Sequence, residues 1–139
     1  LSANIVLRAP EPNDWADILR IIYAHGVPLG WGWPAGKHGI VADDGAQVIA
    51  FCVLSESIYG LIVDELWEAQ TRDGYRALGL LSKEIEAIAQ RRANDRGEAI
   101  ACGGVVRLDR ERHIAALRKR GYGEEAVVLT KLFNPEGAT

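Results

Sequence analysis

Three runs in the middle of the chain decide the fold: IYGLIVDELW (58–67), ALGLLSKEIEAIAQRRA (77–93) and AIACGGVV (99–106). The first is short, apolar and rich in β-branched residues, as a buried strand requires. In the second, Leu78, Leu81, Ile85 and Ile88 recur at helical spacing, while Lys83, Glu84, Glu86 and Arg91 lie mostly off that stripe. This is the longest helix, and the residues before Ala77 leave room for one more turn. Asn-Asp-Arg-Gly at 94–97 stops it, with Gly97 able to take the positive φ of a C-terminal cap. The third run reads as another strand. A strand, a helix and a strand in this order predict a right-handed crossover and a parallel pair.

Upstream, GIVADDGAQVIAFCVL (39–54) predicts a hairpin about Asp44-Gly45. The run from Ser57 onward continues the antiparallel pairing, with Ser55 to Ser57 as the turn. Gly60 marks a bulge or a close backbone approach. NIVLRA (4–9) predicts a strand over Ile5 to Arg8. A helix follows, with Asn13 as its cap and Trp15, Ile18, Leu19 and Ile22 as its apolar face, ending at His25-Gly26. VPLGWGWPAGKHG (27–39) is a loop, because repeated Gly and two Pro disfavour regular structure. Its Trp31 and Trp33 either plug the core or line a pocket.

Downstream, DRERHIAALRKRGYG (109–123) predicts a short helix capped by Asp109 and ended by Gly121, then a last strand in AVVLTKLF (126–133). The result is one domain of 139 residues, an α/β chain with a mixed, mostly antiparallel central sheet and helices on both faces.

Composition narrows the function. The net charge is −3 with both signs interspersed, so no basic patch suggests a nucleic-acid partner. The apolar runs are too short to cross a bilayer, so no membrane role is expected. Met is absent and Leu1 opens the chain, so the initiator is expected to have been removed. No secretory leader is evident, and Cys52 and Cys102 read as buried hydrophobes of a reducing, cytoplasmic setting. The histidines show no ligand spacing with any Cys or acid, so no metal site is expected.

The element order and the Lys119-Arg120-Gly121-Tyr122 ending resemble the GNAT superfamily of N-acetyltransferases over about Ile5 to Phe133. PEPNDWADILRII (10–22) is similar to the family's usual opening. The resemblance implies transfer of an acetyl group from acetyl-CoA to a small-molecule or protein primary amine. It implies a pyrophosphate loop of Gln/Arg-x-x-Gly-x-Gly/Ala type at the start of the long helix, which RALGLL (76–81) matches in part. Glycines there admit the backbone to an anion, and helix N–H groups attract it. Arg76 takes the basic position and Gly79 the first glycine. Leu81 replaces the second small residue, although it also falls on the buried stripe. On this resemblance Leu66, Trp67, Arg72, Arg76, Ala77, Leu78, Gly79 and Leu80 bind the cofactor.

The family's proton acceptor on the strand before the long helix falls at Glu65, with Asp64 second. Alternation lets only one of the two face the cleft. The family's tyrosine acid is replaced by Leu117, so Tyr122 or His113 would have to substitute. Trp31, Trp33 and His38 would shape the acceptor pocket. The other reading is a non-catalytic GNAT-fold scaffold, such as a virion-associated protein of a bacteriophage, acting through protein partners or as a homo-oligomer.

Overall fold

A computed structural model describes residues 4–27, 37–57, 60–124, 131 and 135. The chain forms two compact units, Leu1–Gly104 and Val105–Thr139.

The first unit is a five-stranded sheet in sequential order. Its strands are β1 (Val6–Arg8), β2 (His38–Asp43), β3 (Val48–Ser57), β4 (Gly60–Glu68) and β5 (Ala101–Gly104). The first four pair antiparallel, and β4 pairs β5 in parallel. The crossover between β4 and β5 is α2 (Arg72–Arg96), as its apolar spacing predicts, and Gly97 ends it at φ 67°. Helix α1 (Trp15–Ala24) follows β1 through a short 3-10 turn at Pro12–Asp14.

Both faces of the sheet are covered. Ile18, Ile21 and Ile22 of α1 pack on Val41, Val48, Phe51, Val53 and Trp67. Ala77, Leu81 and Ile85 of α2 pack on Ala42, Ile49, Ala50, Cys52, Leu54 and Leu61. Strand β3 therefore has its first seven residues, Val48 to Leu54, buried, the unbroken apolar run of a central strand. Cys52 behaves as a small hydrophobe here. Burial pushes its thiol up to about 12, and both cysteines are free.

Several local expectations are corrected. Ser55 to Ser57 are not a turn but the end of β3, paired with Ile62, Leu61 and Gly60 respectively, counting Glu56 between them. Asn13 does not cap the first helix. The Asp14 carboxylate accepts from the Glu11 N–H at 2.7 Å and from both terminal nitrogens of Arg8 at 2.7 and 2.8 Å. That charged fork holds the buried Asp14 carboxyl below its usual range, against the opposing cost of burial. Trp15 is exposed, and Ile21 takes its place on the apolar face. The hairpin turn forms as its sequence predicts. Asp43 and Asp44 accept from the N–H groups of Gly45, Ala46 and Gln47, and Gly45 sits at φ 97°.

In the second unit, α3 spans Glu111–Lys119. Asp109 does not cap it. The capping position is Arg110, and Asp109 instead pairs with Arg107 at 2.7 Å. The helix closes as predicted, with Gly121 at φ 93° and the Tyr122 N–H on the Leu117 carbonyl. The final strand expected at 126–133 lies outside the described residues, apart from Lys131.

Candidate functional site

Two features of β4 make a site. The first is where its pairing with β5 stops. The parallel ladder joins Gly60 to Ala101 and ends with Val63 opposite Gly104, while β4 runs on to Glu68. At both ends of this ladder the strands close on a glycine. A Cβ at Gly60 would lie 2.0 Å from the Ala101 oxygen, and one at Gly104 would lie 2.4 Å from the Val63 oxygen. Gly60 thus marks a close approach.

The second feature is a β-bulge at that same point. Opposite β3, Val63 pairs Leu54 and Glu65 pairs Val53, which leaves Asp64 without a rung. Bulges disrupt a ladder locally and re-aim side chains. Val63 and Leu66 both pack on the α2 side, an odd spacing that regular alternation forbids. The alternation expected to let only one of Asp64 and Glu65 face the cleft is interrupted here. Asp64 is the exposed extra residue of the bulge, and Glu65 is held towards the α1 side by the indole N–H of Trp67.

The two carboxylates differ in their partners. The Glu65 carboxylate accepts from Trp67. Asp64 Oδ2 faces Lys37 Nζ at 3.9 Å, which is an ion pair but too long for a hydrogen bond. His38 is the exposed first residue of β2, next to that lysine. Trp31 and Trp33 lie outside the described residues.

The start of α2 follows directly. Thr71 is the N-cap, its hydroxyl accepting from the Gly74 N–H at 3.0 Å and its carbonyl from the Tyr75 N–H at 3.0 Å. No described residue accepts from the N–H groups of Arg72 and Asp73. Arg72 is exposed, and Asp73 is drawn sideways to Arg76 at 3.0 Å. The helix thus begins at Arg72, four residues before RALGLL. Residues 76–81 lie in the second and third turns, where N–H groups bond within the helix. Ala77, Leu78 and Leu81 are buried in the core, and Leu81 faces the sheet at 0% exposure. Leu80 is half-buried, and a Cβ on the exposed Gly79 would meet nothing within 4 Å.

The glycine that the site does require is Gly74. Its Cβ would fall 1.8 Å from the Ala69 oxygen. His25, which flanks the tryptophan loop and was expected with His38 to shape an acceptor pocket, also belongs here. Its Nε2 lies 2.7 Å from the Glu68 carbonyl, its Nδ1 3.2 Å from the Gln70 amide nitrogen, and its ring 4.9 Å from the Trp67 ring. A carbonyl only accepts, so Nε2 carries the proton. The end of α1 is thereby tied to the β4–α2 turn. Nothing in the spacing of His25 and Gln70 signals this pairing, because the two are 45 residues apart.

His113 and Tyr122 belong to the second unit. His113 is buried at 6% exposure. Burial first, and the Arg110 charge second, hold its imidazole at about 4 rather than 6.5. The folded chain thus takes up this proton less readily than the unfolded one. The associated stability is complete above pH 6.5 and is lost as pH falls towards 4, with a magnitude of about 3 kcal/mol. A His113→Phe variant is expected to flatten the fall of Tm across that window in a pH series. An unchanged slope would remove His113 as the cause.

No protein-family model and no curated protein matches the chain. Solved structures do. A transcriptional regulator from Bacillus halodurans C-125 superposes with TM-score 0.66 at 12% identity, over 94% of this chain and 100% of its own. A GNAT family acetyltransferase from Streptococcus pneumoniae TIGR4 gives 0.62 at 16% identity, over 95% and 100%. The chain has the GNAT fold. An aminoglycoside 6'-N-acetyltransferase from Acinetobacter baumannii gives 0.60 at 17% identity, again over 95% and 100%. At such identities the GNAT likeness concerns architecture. The side chains of the site stand on their own chemistry. No described helix is long and apolar enough to cross a membrane.

Proposed function

We propose that this protein is an acyl-CoA-dependent N-acyltransferase that moves an acetyl group from acetyl-CoA to a primary amine. The observation that carries the reading is the coincidence at Val63–Asp64. There the β4–β5 ladder ends, the β4 backbone bulges, and a carboxylate stands beside the opening.

The residues present fit the donor. The first turn of α2 offers the Arg72 and Asp73 N–H groups and the exposed Arg72 guanidinium to a diphosphate. Arg76 keeps the Asp73 carboxylate engaged from the side, which lessens its repulsion of an anion. This moves the diphosphate cradle from Arg76–Leu81 to Thr71–Gly74. Acetyl-CoA supplies the activated acyl group as a thioester. On this reading the pantetheine arm runs alongside β4 at Leu66 and Trp67, beyond the last rung with β5.

Asp64 takes the proton of the amine, while Glu65 stays with Trp67 and fixes the indole. His113, held neutral and buried, is assigned to packing. The departing thiolate takes its proton from solvent, and Tyr122, in the second unit, is given no part in this site. The acceptor enters on the α1 side; His38, which shares the α2 face with Leu54 and Ile40, does not line its path.

Titration of the protein with acetyl-CoA in a calorimeter is expected to give saturable heat. An Arg72→Ala variant is expected to bind at least tenfold more weakly, the loss of about one charge-assisted contact to phosphate. No heat and no thermal shift at large excess would leave the fold as a non-catalytic scaffold.

A further inference from the structure

We infer that His25 is a positioning residue for the donor half of the site. From the end of α1 it holds the β4–α2 turn in the arrangement that presents the first N–H groups of α2 to the diphosphate of acetyl-CoA. The inference rests on the transferase reading above and adds to it a residue that acts through the turn alone.

The support is rigid. His25 closes α1, and its backbone N–H donates to the Ile22 carbonyl at 3.1 Å. Ile18, Ile21 and Ile22 anchor that helix in the core against the sheet. The His25 side chain is 9% exposed, so its rotamer freedom is lost on folding rather than on binding. Its two ring nitrogens reach the two residues that flank Ala69. Nε2 donates to the Glu68 carbonyl, and Nδ1 accepts from the Gln70 amide. The Glu68 carboxylate stands 3.9 Å from Nε2, too far to replace the carbonyl as its hydrogen-bond acceptor.

Ala69, between them, carries the start of α2. Its carbonyl accepts from the Thr71 N–H at 2.8 Å, and its oxygen lies 1.8 Å from where a Cβ on Gly74 would fall. A displacement at Ala69 therefore displaces Thr71 and Gly74, and with them the Arg72 and Asp73 N–H groups that lie between those two. Such groups serve an anion only while they converge on it. A turn that must be ordered by the ligand lowers affinity, and one ordered beforehand does not. His25 supplies that order without a contact to the diphosphate.

The test is calorimetric titration of the whole protein with acetyl-CoA, beside three variants. His25→Phe keeps a ring against Trp67 and loses both hydrogen bonds. Its Kd is expected to rise about tenfold at unchanged stoichiometry. His25→Gln carries an amide that can again donate towards Glu68, and should stay within about threefold of the parent. Gln70→Ala removes one arm at an exposed residue and should weaken binding about threefold. A purely structural loss would instead lower the stoichiometry and leave the Kd of the remaining protein alone. That result, a parent-like Kd in His25→Phe, or a His25→Gln as weak as His25→Phe would overturn the inference while sparing the transferase reading. Should His25→Phe fail to fold, Gln70→Ala decides, and parent-like affinity there would sink the inference. An absence of heat from the parent protein would sink both.

Discussion

Gly74→Ala is expected to cost about 3 kcal/mol or more of folding stability, read as a lowered midpoint in chemical denaturation. The added Cβ would lie 1.8 Å from the Ala69 carbonyl oxygen and 2.8 Å from its carbon. Both are backbone atoms, so no rotamer change relieves the clash. The turn is also tied from three sides. Ala69 donates to the Ile49 carbonyl at 2.7 Å, Thr71 donates to the Ala69 carbonyl at 2.8 Å, and Thr71 caps the Gly74 N–H. Relief therefore has to break the cap or detach the end of β4. Gly79→Ala, one and a half turns further along α2, is the internal control. Its Cβ would meet nothing within 4 Å, so exchanging an exposed helical glycine for alanine should add about 1 kcal/mol. If the two substitutions had equal effects, Gly74 would not be the glycine on which this helix start depends.

The same pair of glycines explains what the sequence could and could not say. The body of α2 was legible because Leu78, Leu81 and Ile85 follow helical periodicity and their burial is a local consequence of it. Its start was not. Arg72-Asp73-Gly74 looks like loop sequence when Gly74 is taken as a breaker, yet that glycine exists because a carbonyl five residues earlier approaches it. Such a requirement belongs to the tertiary turn. Gly79 fitted a motif by spacing alone and faces open space. The hairpin at Asp44-Gly45 was legible because its turn chemistry is local. The bulge at Asp64 carried no signal, since neither glycine nor proline marks it and only the register against β3 reveals it. That one inserted residue also interrupts the alternation by which only one of Asp64 and Glu65 was expected to face the cleft.

Asp64→Asn should therefore be the more damaging of the two carboxylate changes. It is expected to lower the rate of acetyl transfer to an added amine by about 100-fold or more, the usual worth of a positioned general base, with acetyl-CoA affinity changed less than about twofold. Affinity should hold because Asp64 is separated from the first turn of α2 by the rest of β4 and its following turn. Glu65→Gln is expected to cost less than about fivefold. The glutamine oxygen can still accept from the Trp67 indole, which lies in the core beneath α1 and packs against His25. A kcat that collapses in Glu65→Gln and survives in Asp64→Asn would return the proton to Glu65. It would also mean that the Trp67 hydrogen bond is released when substrate binds. Equal collapse of both would mean that the bulge presents two carboxylates as one proton-accepting pair.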